Sequence, residues 1–345
     1  MKAKTKKRFI LCLLLAGTVL ACAAQERVQL KIASLAPARS PWDIQLKELA
    51  QEWYEITDGA VSVTYYDTNS LGGERSVLQK LNPPRPGQKP PLDGAVLSTI
   101  GLNEMAPAAH IYTLSIPFLI RSQAELDQVL DTYGGTLLQE FDRAGFKVIA
   151  WTNVGWLSFY TKDPYRNLQE LSAIKLASAG LDSPVLGEVF RAAGLTVENI
   201  QSTKILQSLK SSGGVRGFSA VHLYAYVTGY YKGIQYALNT KMCPVMAGLV
   251  ISNSAWERIP EQYKPALIAS VERVKQQLNN SLDESDALYV SKMEEEGVTM
   301  INPTAEELSA WERDFSRAVE AVNRSVPDAF DMELFRNIQT LLREN

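Results

Sequence analysis

The chain has 345 residues, with 35 Lys and Arg against 38 Asp and Glu, two His, three Cys and a formal charge of −3. A weakly acidic chain of this length can bury two hydrophobic cores but offers no basic field for nucleic acid or an anionic membrane surface. So few histidines and cysteines exclude an ordinary zinc site and a disulfide framework.

Residues 1–24 read as an export signal. Lys2, Lys4, Lys6, Lys7 and Arg8 form a basic start, residues 9–16 an apolar run, and residues 21–24 a small-residue end. The run is too short for a bilayer span of ~20 residues, and no later segment replaces it. Two processing routes stay open. Val19-Leu20-Ala21-Cys22 is a loose lipobox, whereas Ala21-Cys22-Ala23 and Cys22-Ala23-Ala24 suit ordinary cleavage. Ordinary cleavage is favoured, because a strand expected at 28–33 leaves a lipid anchor on Cys22 almost no tether. Loss of the five cations takes the charge to about −8, leaving Cys243 the only cysteine.

After that strand, Ser40-Pro41-Trp42-Asp43 supplies an N-cap, a first-turn proline and an acidic residue. Leu46, Leu49, Trp53 and Ile56 follow at helical spacing to a stop at Gly59, and Val61, Val63 and Tyr65 alternate as a strand. The same rhythm predicts a helix at 73–81, a strand at 92–97, helices across 124–144, and strands at 146–152 and 156–161. A second unit from Ile174 holds helices at 185–193 and 205–209 and a strand at 215–218. Segments 234–238 and 248–251 then look like strands returning to the first unit. The last quarter predicts a long helix over 260–296, a strand at 298–301 and a helix capped by Thr304 with Glu307 three residues on. Segment 82–91 holds five prolines and is a stiff exposed loop, serving either as a plain insertion or as a partner contact. The alternation indicates an α/β protein with mainly parallel pairing.

Several stretches together resemble the solute-binding subunit of tripartite ATP-independent periplasmic (TRAP) transporters, the dicarboxylate-binding-protein family. Ala33-Ser34-Leu35-Ala36-Pro37 is similar to that family's first strand and cleft loop, and Thr57-Asp58-Gly59-Ala60-Val61 to its second strand entry. Asn69-Ser70-Leu71-Gly72-Gly73-Glu74 resembles a helix start, Ile116-Pro117-Phe118-Leu119 its Pro-Phe segment, and 167–175 the approach to its ligand arginine. The resemblance implies a two-lobed α/β periplasmic solute-binding fold with hinge strands and a long C-terminal bracing helix. It divides the chain into lobe I (25–153), lobe II (154–235), a return to lobe I (236–280) and C-terminal helices spanning both (281–345). It also implies TRAP membrane subunits as partners and, in some members, a periplasmic tetratricopeptide-repeat protein.

Two family ligand contacts do not carry over. The arginine position matches Ala177. In Gly213-Gly214-Val215-Arg216-Gly217-Phe218-Ser219-Ala220-Val221, the family's aspartate and asparagine become Arg216 and Ala220. A methyl group offers a carboxylate neither charge nor donor, a loss on the order of 2–5 kcal/mol. The expected cleft lining is therefore mostly apolar: Trp42, Ser98, Phe118, Asn153, Trp156, Ala177, Phe218, Ala220, Val221, Tyr224 and Met246. Ser98, Asn153 and the Tyr224 hydroxyl would orient the ligand. Phe118 and Met246 fit equally as core positions, while family position places Trp156 and Ala177 at the cleft.

The expected function is a receptor for a small hydrophobic or amphipathic molecule, delivered to the permease. An ordinary organic-acid binder using Arg216 or Lys175 stays open as an alternative, as does a ligand-free scaffold. Lys175 shares strand parity with Ala177, and His110 and His222 read as structural. An enzyme is disfavoured: Cys243 sits in Lys-Met-Cys-Pro without a partner histidine, no Gly-x-Ser-x-Gly elbow occurs, and Ser211-Ser212-Gly213-Gly214 is no phosphate loop. No cofactor is expected.

Overall fold

A computed structural model of the chain describes residues 27–178 and 184–343, so the predicted export signal and Cys22 lie outside the described residues. Strand β1 (Val28–Ser34) leads into helix α1 (Pro41–Ile56). The hydroxyl of Ser40 accepts from the Asp43 amide at 3.3 Å, as the cap sequence predicts. Thr57 ties the end of α1 to β2 (Val61–Asp67), donating to the Trp53 carbonyl and accepting from the Val61 amide. Next come α2 (Glu74–Lys80), β3 (Gly94–Ser98) and α3 (Thr99–Met105). Helix α4 (Gln123–Arg143), capped by Ser122, is one helix where the sequence suggested several.

The predicted strands at 146–152 and 156–161 are one strand, β4 (Phe146–Thr161). Its first half pairs antiparallel with β9 (Pro244–Ser252) and its second half with β7 (Gly217–Val221). The register slips between Asn153 and Trp156. There Gly155 takes φ +140°, a conformation L side chains rarely adopt. The sequence suggests two strands separated over 153–155. The structure instead keeps the ladder and absorbs the irregularity as a bulge.

The remaining elements are α5 (Leu168–Ser172), β5 (Leu176–Ser178), α6 (Pro184–Ala192), β6 (Val197–Asn199), α7 (Ser202–Lys210), α8 (His222–Val227) and β8 (Tyr236–Leu238). After β9 come α9 (Asn253–Glu257), α10 (Lys264–Glu295), β10 (Thr299–Ile301), α11 (Ala305–Ser325) and α12 (Met332–Arg343). The capping box of Thr304 and Glu307 forms as predicted, whereas α12 was not foreseen.

The sheet runs β2-β1-β3-β9-β4-β7-β5-β6, with β8 joined to β4 and β10 to β8. The expected parallel pairing holds on both flanks of the sheet, in β2-β1-β3 and β7-β5-β6, whereas β9 and β4, at the centre, pair antiparallel with all their neighbours on this path. Segment 234–238 also does not return to the first half, since β8 pairs with Tyr160 and Thr161 in the far half of β4 and with β10. Only β9 returns.

Helix α10 bridges the two halves. Leu267, Val271, Val274 and Leu278 pack in the core that holds α1, where Trp53 donates to the Ser270 hydroxyl at 3.1 Å, and Met293 joins the core of the far half. Thirty-two helical residues span about 48 Å, enough to cross both. Residues 82–91 form no helix or strand. Their base is pinned where the Asn82 amide and the Leu92 amide donate to the last turn of α2.

Candidate ligand-binding cleft

Ligands of open α/β sheets sit beyond the carboxyl ends of parallel strands. Here the loop after β1 and the last residue of β7 meet across the bulge of β4 and enclose a cavity of about 250 Å³. Leu35, Ala36, Pro37, Ala38, Arg39 and Ser40 form one wall, with Trp42 from the first turn of α1. Val96 of β3, Val154 of β4 and Ala247 of β9 form the floor. Val221, Leu223, Tyr224 and Val227 close the other side, and Tyr289 reaches in from α10.

Gly155 makes this wall possible. A Cβ there would stand 3.0 Å from the Val221 Cβ, so only glycine lets Val221 seat against the bulge at that φ. Asn153 supports the same turn, its Oδ1 accepting from the Gly155 amide at 2.9 Å. Among the described residues the lining is apolar and aromatic apart from Ser40 and Arg39, and Arg39 is its one charged side chain. An enclosure of this composition can hold an apolar body and fix one polar end.

Of the sequence-predicted lining, the cavity brings together Trp42, Val221 and Tyr224. The other residues lie elsewhere. Ser98 caps α3, and both its amide and its hydroxyl donate to the Glu74 carboxylate at 2.7 Å. Burial pushes the Glu74 carboxyl up, against the two Ser98 hydrogen bonds. Gly101 allows this, because a Cβ there would lie 2.5 Å from Glu74. Phe118 packs in the core against Trp311 and Phe315. Trp156 is 2% exposed, with the Lys241 ammonium 5.1 Å over its ring. Met246 is buried in β9, where its backbone exchanges hydrogen bonds with the Thr99 hydroxyl.

Ala177 sits in the middle of the far half, between Glu198 of β6 and Phe218 of β7, and is fully buried. Phe218 stacks on Tyr160 at 4.7 Å, and Ala220 pairs with Ser158, also fully buried. These side chains share one core with Ile205, Leu209 and Val215.

The two alternative cations are engaged away from the cavity. Arg216 pairs bidentately with Asp163, and Lys175 with Glu198 at 2.7 Å. Lys175 lies just before β5, and its partner Glu198 is the β6 residue in register with Ala177, so the pair sits on the face that strand parity assigns. His222 is buried, 2.5 Å from the Tyr160 hydroxyl, and burial followed by the nearby Lys241 pushes it down to about 4. His110 Nδ1 meets the Asp328 carbonyl at 3.1 Å.

Sequence reasoning missed Arg39, Leu223, Val227 and Tyr289. The similarity of 33–37 to a cleft loop was the available signal for Arg39, which lies two residues beyond it. Nothing local marks Tyr289, since only the path of α10 brings it to the cavity.

A family model described as bacterial extracellular solute-binding protein, family 7, matches residues 32–325. A curated solute-binding protein of Verminephrobacter eiseniae is 23% identical over 283 residues, 81% of this chain and 80% of its own. Among solved structures, a TRAP periplasmic solute-binding protein from Ochrobactrum anthropi, its C-terminus bound in the ligand-binding pocket, superposes with a TM-score of 0.81. It is 19% identical and covers 93% of this chain and 98% of its own. One from Desulfovibrio salexigens with bound orotic acid gives 0.77 at 20% identity, covering 92% and 99%.

Proposed function

This chain belongs to the bacterial extracellular solute-binding proteins of family 7, and we propose that its solute is a small hydrophobic or amphipathic molecule held in the cavity between Trp42 and Val221. The family role is capture of a small molecule for TRAP membrane subunits, without bond chemistry. The chain itself acts outside the cytoplasm, exported by residues 1–24 and cleaved in preference to lipidated at Cys22. Residues 25–153 and 154–235 are the lobes that close on the solute, β9 within 236–280 carries the return to the first, and 281–345 braces both.

The observation that carries the ligand class is the cavity lining: one cation among apolar and aromatic walls. The methyl groups of Ala177 and Ala220, where relatives by resemblance hold polar ligand contacts, support the same reading. So do Arg216 and Lys175, which are already paired. The other residues of the expected lining, Ser98, Phe118, Asn153, Trp156, Ala177, Phe218, Ala220 and Met246, do not border this cavity, and of them Asn153 holds the bulge beside it. Closure is stabilised only by the solute's greater affinity for the closed form, so an apolar solute must be largely enclosed. A tetratricopeptide-repeat protein is the second partner we assign, with exposed loop 82–91 as its contact.

The test is to purify the protein natively, weigh it without denaturation and identify what denaturation releases. An apolar or amphipathic molecule at one per chain is expected. A polar dicarboxylate or sugar acid at that stoichiometry would refute the ligand class.

A further inference from the structure

We infer that Arg39 is the head-group anchor of this cleft, and that the solute is an amphiphile of medium length carrying a single carboxylate. The inference rests on the apolar-cleft reading above and adds the polar end. Among the described residues lining the cavity, Arg39 is the only one that carries charge, and no ion pair engages its guanidinium. The nearest acid is occupied otherwise: Asp43 accepts from the Arg39 amide at 2.7 Å and from the Lys47 ammonium at 2.8 Å. The guanidinium is thus left with its full set of donors, in a fork that fits a carboxylate.

Backbone geometry points the same way. Arg39 holds φ +67°, a left-handed conformation that costs a non-glycine residue free energy and persists only where surrounding bonds enforce it. Those bonds are the Arg39 amide on Asp43 and the Ser40 amide on the Pro37 carbonyl at 3.0 Å. They fix where the side chain leaves the loop, at the rim of an otherwise apolar enclosure. Size follows from volume. A dry apolar cavity of about 150 Å³ holds benzene, so about 250 Å³ holds an apolar body of about ten heavy atoms. An eight-carbon carboxylate meets both conditions.

The probes are octanoate and 1-octanol, titrated by calorimetry into ligand-stripped protein, its Arg39→Asn variant and its Arg39→Lys variant. Asparagine accepts the left-handed backbone and keeps the amide bond to Asp43, so the fold is retained. The wild type is expected to bind octanoate about 10-fold or more tighter than octanol, the scale of a hydrogen bond to a charged group. Arg39→Asn should erase that preference with octanol binding unchanged, and Arg39→Lys should keep part of it. Added salt should shrink the preference, since the anchor is exposed. Equal binding of octanol and octanoate by the wild type, or an undiminished preference in Arg39→Asn, would overturn the anchor and leave the apolar cleft standing. Binding of neither, with succinate bound instead, would overturn both.

Discussion

Arg216 grips Asp163 through two parallel hydrogen bonds, from Nε to Oδ2 and from an amino group to Oδ1, each 2.6 Å. Both side chains are about half exposed, and the pair holds the Asp163 carboxyl below its usual range. A guanidinium committed in this way has no free fork for a solute. Arg216→Ala is therefore expected to leave solute affinity within twofold of wild type. It should change stability by less than about 1 kcal/mol, as exposed pairs do. Calorimetric titration and urea unfolding of the variant check both, and a large loss of affinity would return Arg216 to the site.

Trp42 and Trp156 separate binding from folding. Trp42, though packed in the core of α1, also lines the cavity, whereas Trp156 is buried in β4 under Lys241 and does not border it. Trp156→Ala is expected to cost about 3–5 kcal/mol of stability through the void it leaves. Protein that still folds should bind normally. Trp42→Ala should lose affinity at least tenfold. Binding and unfolding curves measured side by side decide it, and the reverse pattern would place the solute against Trp156.

Ala177 tests whether the family arginine can simply be restored. Its Cβ lies in a closed core with Phe218, Ile205 and Leu209. Ala177→Arg should overpack that core and bury an unpaired charge, a loss of about 3 kcal/mol or more. Thermal unfolding should show a markedly lower midpoint with no gain in succinate binding. A stable variant that binds succinate would mean that the site opens there.

His222 gives the fold an acid limit. The unfolded chain takes up a proton near 6.5, while buried His222 resists until about 4. The Tyr160 hydroxyl, itself kept protonated by burial, shares a hydrogen bond with Nδ1 of the neutral imidazole. Because the folded value is the lower one, this contribution is whole above pH 6.5. It is lost as pH falls towards about 4, by about 3 kcal/mol in all. Urea unfolding at pH 7.5 and pH 5 should show His222→Gln losing less stability between the two than wild type. Equal losses would show that His222 is not the group responsible.

Local chemistry made much of the fold legible. Ser40-Pro41, Ser122 and the Thr304–Glu307 box satisfy free amide groups at helix starts, so the sequence marks those starts directly. Pairing was less legible, because β8 and β9 both carry apolar residues, and which half of β4 each meets is not marked locally. Residues 153–155 read as a break between strands in one dimension and form a bulge in three. For the cleft, alignment with a family placed Ala177 correctly on its strand, but the depth of its burial depends on Phe218 and α7, which no local pattern reveals. Trp42 and Val221, which sit at element ends, were expected in a lining and do border this cavity. Tyr289 was not expected there, since it lies in the last quarter of a helix whose course is set by both cores.

The account stands most directly on a crystal structure of the protein purified with its native solute. Density for an apolar chain between Trp42, Val221 and Tyr224, with its polar end at Arg39, is the predicted result. Density for a polar acid held by Ser98, Asn153 or Arg216, with the Trp42 cavity empty, would contradict it.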